Sequence, residues 1–154
     1  MLYLHLQRNR MYYTYQITIN KPVDEVVRLF DNPDNLYKWM SGLQSFELIS
    51  GTAGEPGAKS KLVFLNGKRR MEMIETITVR DLPAEFSGTY EAQGVVNISV
   101  NKFKDLGNGT TLYTTENTFH FSGFMKLIGF MMPGAFKKQS YKYMEQFKAF
   151  VESH

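Results

Sequence analysis

Three histidines, His5, His120 and His154, are all the imidazole that this 154-residue chain carries, and it has no cysteine. No two of them stand at metal-ligand spacing, so no metal site and no cofactor is expected. The lack of Cys removes thiol nucleophiles and disulfides, and it fits a reducing, cytoplasmic setting. Neither a Gly-x-Ser-x-Gly elbow nor a phosphate-cradling glycine loop occurs; Gly51 to Gly57 holds Glu55 and Pro56 and reads as a hairpin loop. What remains for proton chemistry lies in residues 110–121. With a period of two, Leu112, Thr114, Glu116, Thr118 and His120 share one face, and Tyr113, Thr115, Asn117, Phe119 and Phe121 share the other. If the first face looks inward, Glu116 and His120 are the catalytic candidates, an acid/base couple tuned by desolvation and by each other. If the second does, the pair faces solvent. The aromatic content favours the second phase, and a single bulge would switch phase midway, so both stay open.

The elements that must position such a strand follow from periodicity. Tyr13, Tyr15, Ile17 and Ile19 alternate with polar residues, as in a half-buried strand. Pro22 suits a first helical position, and Val23, Val26, Val27 and Phe30 then keep the spacing of an amphipathic helix. Asp31-Asn32-Pro33 closes it and opens a second short helix carrying Leu36, Trp39 and Met40. Strands are expected near 12–19, 44–50, 59–66, 69–80, 85–93, 95–105 and 110–121, the last six forming an antiparallel meander. Asn66-Gly67 predicts a type I′ hairpin turn. Residues 123–132 are apolar, Pro133-Gly134 interrupts them, and Phe136, Ser140, Tyr143, Phe147 and Phe150 mark a long terminal amphipathic helix. The fold class is thus α+β: a seven-stranded antiparallel sheet, two short helices between strands 1 and 2, and a long C-terminal helix. Residues 1–10, which precede a second methionine, read as a disordered or non-native extension, and 11–154 as a single domain.

The phrase Ile19-Asn20-Lys21-Pro22-Val23-Asp24-Glu25-Val26 resembles the first strand and helix of the START-like, helix-grip (SRPBCC) superfamily. Asp34-Asn35-Leu36-Tyr37-Lys38-Trp39-Met40 looks like the second helix of its polyketide cyclase/dehydrase-type members. Glu55-Pro56-Gly57, Asp81-Leu82-Pro83 and Met132-Pro133-Gly134-Ala135-Phe136 are similar to its turns and to the start of its last helix. The resemblance spans Met11 to Glu152. It implies a curved sheet gripping the C-terminal helix around a hydrophobic cavity, and it would place Leu112, and with it Glu116 and His120, inside. It names no substrate, because a fold does not supply one.

On that expectation the sheet side of the cavity would be Tyr15, Phe64, Met73, Phe86, Tyr90 and Ile98. The helix side would be Phe124, Ile128, Met131, Met132, Phe136 and Tyr143. Methionine and aromatic walls suit varied apolar ligands, and tyrosine hydroxyls orient them. The leading reading is binding, without chemistry, of a hydrophobic or amphipathic small molecule that is lipid-, polyketide- or isoprenoid-like. The alternative is a cyclase or dehydratase working by general acid/base catalysis. Residues 123–134 would be the gate. The net charge of +3 resides wholly in residues 123–154, which hold five Lys against Glu145 and Glu152. That excess is the solvated face of a helix or an attraction to an anionic surface. Stable membrane insertion and nucleic-acid binding are not expected. An outward Tyr113, Phe119 and Phe121 would instead favour a homodimer.

Overall fold

The computed structural model describes residues 9–154, so His5 and most of the expected extension lie outside the described residues. The elements follow in the order β1 (Arg10–Ile19), α1 (Val23–Phe30), a 3-10 turn (Pro33–Asn35), α2 (Leu36–Trp39) and β2 (Leu43–Ser50). Then come β3 (Lys59–Asn66), β4 (Arg69–Asp81), β5 (Glu85–Ala92), β6 (Val95–Asp105), β7 (Thr111–Phe121), α3 (Met125–Met131) and α4 (Pro133–Glu152). β1 already starts at Arg10, and the Phe121 amide donates to the Asn9 carbonyl at 2.9 Å, so the domain begins before Met11.

All seven strands form one antiparallel sheet in the order β1-β7-β6-β5-β4-β3-β2. The meander holds, and β1 closes it by pairing with β7, Tyr13 opposite Asn117 and Tyr15 opposite Thr115. Register shifts within β2 and between Ile77 and Val79 add bends to a sheet that wraps α4. Two local readings are corrected. The β3–β4 loop is Gly67-Lys68, not Asn66-Gly67, because Asn66 still pairs with Arg69. Only Gly67 takes a positive φ (64°), at the first central position of the turn, whereas type I′ needs two such residues. Pro22 stands one residue earlier than expected, as the N-cap of α1.

The main core fills the space between α1, α2, the lower sheet and α4. Phe147 is fully buried, its ring 5.0 Å from Trp39, 5.6 Å from Phe30, 5.8 Å from Tyr113 and 6.4 Å from Phe103. Such mixed edge and tilted contacts add to simple area burial. A second cluster, Tyr13, Phe119 and Phe121 with Phe136 against them, ties the start of α4 to the opposite end of the sheet. Between the two clusters the sheet and helix stand apart, and a cavity opens.

Candidate ligand-binding site

The cavity measures about 1670 Å³ and runs between the concave sheet face, α3 and α4. Which residues line it is decided by strand phase. Along β7, Tyr113, Thr115, Asn117, Phe119 and Phe121 are buried and point inward. Glu116 and His120 therefore lie on the convex face, which corrects their candidacy as a catalytic pair. Glu116 meets Lys102 Nζ at 3.2 Å, and His120 is exposed. Four steps along the strand also separate the two by about 13 Å, too far for them to touch. The same phase turns Tyr113, Phe119 and Phe121 inward, which removes them as a homodimer surface.

Nine of the twelve expected wall residues border the cavity: Phe64, Met73, Phe86 and Tyr90 from the sheet, and Phe124, Ile128, Met132, Phe136 and Tyr143 from the helices. Three do not. Tyr15 faces α4 and packs on Tyr141 at 5.3 Å, so the helix covers it. Ile98 sits on the convex face, because its neighbours Asn97 and Ser99 take the inward positions. Met131 points away from the cavity on the outer side of α3.

A polar belt that strand periodicity does not reveal crosses the middle of the sheet. Glu75 on β4 stands opposite Tyr90 on β5, which stands opposite Asn97 on β6. One step further along, Ser99 faces Asn117 and then Tyr13; beyond it, Asn101 faces Thr115. The Tyr113 hydroxyl donates to Asn101 Oδ1 at 2.8 Å, and Asn117 Nδ2 donates to Thr115 Oγ1 at 3.1 Å. Tyr13 donates to the Phe136 carbonyl at 3.1 Å and pairs with Ser140, fixing α4 over the belt. Burial pushes the Tyr13 hydroxyl up to about 12, so it remains a donor at any physiological pH.

Two members of the belt are not satisfied by these bonds. The buried Oδ1 of Asn97 has no hydrogen-bond partner. Buried polar atoms are rarely left so, and this one borders the cavity. Glu75 is only 8% exposed and has no salt bridge among the described residues. Desolvation raises its pKa above the ordinary value, and the hydrogen bond from Tyr90 offsets part of that rise. Tyr90 in turn is pushed well up by burial and by the adjacent carboxylate. One signal in the sequence pointed here: the odd-numbered residues of β6, Asn97, Ser99 and Asn101, form a polar stripe framed by Val95 and Phe103. Among the described residues no group of three or more His, Asp or Glu is placed to hold a metal ion.

A family model described as "Polyketide cyclase / dehydrase and lipid transport" matches residues 12–152. The chain belongs to that family. Its fold is similar to the crystal structure of Ara h 8.0201 (16% identity, TM-score 0.76), covering 94% of this chain and 99% of that one. It is also similar to the Zhui aromatase/cyclase from Streptomyces sp. R1128 (11% identity, TM-score 0.78, 93% and 94% covered). A third likeness is to norcoclaurine synthase from Thalictrum flavum in complex with dopamine and hydroxybenzaldehyde (13% identity, TM-score 0.72, 94% and 88% covered). No curated protein matches the chain in sequence. At these identities the structural likenesses establish the helix-grip fold, and the site must supply the rest. No helix among the described residues is long and apolar enough to cross a membrane.

Proposed function

We propose that the protein binds an amphipathic small molecule, lipid-, polyketide- or isoprenoid-like, inside the sheet–helix cavity. The observation that carries this reading is a cavity of about 1670 Å³ with a polar belt between apolar walls. That volume exceeds the roughly 300–1,000 Å³ of sites for drug-sized ligands, so it suits a long or polycyclic molecule. The belt sets the orientation: a head group donating to Glu75 and Asn97 would sit mid-sheet, with apolar parts against Met73, Phe64 and Tyr143 on one side and Ile128 and Phe136 on the other. The test is native mass spectrometry of purified protein after incubation with cell extract. Retained apolar ligand is the expected result; a bare protein that also ignores fluorescent fatty-acyl probes would overturn the reading.

A second reading rests on Glu75. A carboxyl with a raised pKa beside a tyrosine hydroxyl is a competent general acid or base toward a bound substrate. Glu75→Gln keeps the shape and removes the proton exchange. Loss of turnover with ligand retention intact would mark an enzyme, whereas a parallel loss of both would mark a binding site alone.

Ligand access is assigned to α3. It joins α4 through the single residue Met132 (φ −130°, ψ 51°), and neither helix has a side-chain N-cap bond. Pro133 supplies no amide donor there, so the ladder is interrupted at the junction. Residues 123–134 are expected to exchange amide hydrogens faster than 138–150 and to slow when an acyl probe binds. Gly129 provides the matching substitution: a Cβ there would meet Phe121 ring carbons at 2.7–2.9 Å. Gly129→Val is expected to lift α3 off the sheet and speed probe dissociation several-fold, measured by stopped flow.

A further inference from the structure

The outer side of α3 has no partner among the described residues. Leu127, Phe130 and Met131, spaced three and four residues apart, are 50%, 69% and 66% exposed. Their spacing puts them on one face, while Ile128 and, at the helix ends, Phe124 and Met132 border the cavity. Apart from Lys126 and Gly129, α3 is apolar all round. A short helix of that kind requires two apolar partners, and the cavity provides only one.

The surroundings of this ridge are predominantly cationic. From Asn117 to Met144 the chain has Lys126, Lys137, Lys138 and Lys142 and no carboxylate. Antiparallel pairing brings the β3–β4 hairpin, with Lys68, Arg69 and Arg70, to the same end of the sheet as α3. Of these cations only Arg70 is in an ion pair among the described residues, with Glu72 at 2.7 Å. Arg69, Arg70 and Phe124 all border the cavity, so the apolar ridge and the cations frame its mouth.

We propose that this end of the molecule docks on an anionic lipid surface, with Leu127 and Phe130 entering the acyl boundary and the lysines at headgroup level. The charge complementarity selects the occupant: long lysine stems lie along apolar surface while their ammonium groups reach the phosphates. Docking would turn the cavity mouth toward the bilayer and let a ligand pass without crossing water. The inference does not depend on which ligand the cavity takes.

The experiment is co-sedimentation of the full chain with phosphatidylcholine vesicles, with and without phosphatidylglycerol, at low and high salt. Binding is expected only to the anionic vesicles, and salt should weaken it. Leu127→Ser with Phe130→Ser should lower the partition about tenfold at unchanged circular dichroism. Lys126→Glu with Lys137→Glu and Lys138→Glu should abolish it while leaving the apolar ridge intact. Wild-type protein that stays in the supernatant with both vesicle types overturns the proposal, as does a double-serine variant that binds like wild type. Retention by an acidic polypeptide matrix but not by anionic vesicles also overturns it, in favour of a protein partner.

Discussion

Replacing Phe147 with alanine is expected to lower the unfolding free energy by about 3–5 kcal/mol, the range for truncating a buried aromatic. The ring is fully buried and touches four others, from α1, α2, β6 and β7. None of those elements can move into the vacated space without breaking its own contacts to Phe103 and Trp39, so the hole would stay largely open. Domains of this size have only about 5–15 kcal/mol in total, so much of the margin would go. Urea denaturation should show a lower midpoint at an unchanged slope. Phe147→Leu, which preserves most of the volume, should cost less than about 1.5 kcal/mol. The loss matters beyond stability, because Phe147 anchors the half of α4 that holds Tyr143 against the cavity.

Glu75→Gln should raise the melting temperature at neutral pH and leave it unchanged in acid. The carboxyl has a folded-state pKa above its unfolded value, so folding favours the protonated form. Stability tied to this group is complete below the unfolded value of about 4.5 and falls as pH climbs through the folded value. The amide never ionises and escapes that fall. Thermal melts of both proteins from pH 4 to pH 8 should therefore converge at the acid end and separate toward neutrality. A wild type as stable as the variant at pH 8 would mean that Glu75 is not desolvated. A residue that weakens the unliganded fold and is nonetheless placed in the cavity is the kind that binding sites keep.

The fold was largely legible in the sequence, because its signals are local and repeated. Alternation at Tyr13–Ile19, the helical spacing of Val23, Val26, Val27 and Phe30, and the turn glycines each specify one element. The site was only half legible. Phe64, Met73, Phe86 and Tyr143 are apolar residues on elements already recognised, so pattern reading reached them. Glu75, Asn97, Ser99 and Asn117 are polar, and polarity in an alternating strand ordinarily marks the wet face. Glu116 and His120 drew attention for the converse reason: their chemistry is rich, yet the aromatic Tyr113, Phe119 and Phe121 take the interior of β7. Strand phase is a tertiary property. It follows from which face of the sheet α4 covers, and no single strand encodes that.

β6 illustrates what such a cavity demands of the chain as it folds. Its inward residues are Asn97, Ser99 and Asn101, and its convex-face residues are Val96, Ile98 and Val100. Sliding β6 by one position would bury Val96, Ile98 and Val100 and expose the asparagines, a gain for the middle of the strand, but it would also turn out Val95 and the core ring Phe103 and turn in Lys102 and Lys104. The middle of the strand is thus locally frustrated in its native register, which Phe103 and the neighbouring strands hold in place. The device nearest to hand is the two-residue Gln93-Gly94 turn, which locks Ala92 opposite Val95. Gly94 has φ 77°, and a Cβ on it would lie 2.7 Å from the Met125 side chain and 3.0 Å from the Ser122 carbonyl. That glycine therefore does two jobs at once: it helps set the register of a strand whose middle would favour the other face, and it leaves room for α3 to settle on the end of the hairpin. Sequence optimisation for stability alone would trade the asparagines for aliphatics, and would erase the polar belt before it disturbed the fold.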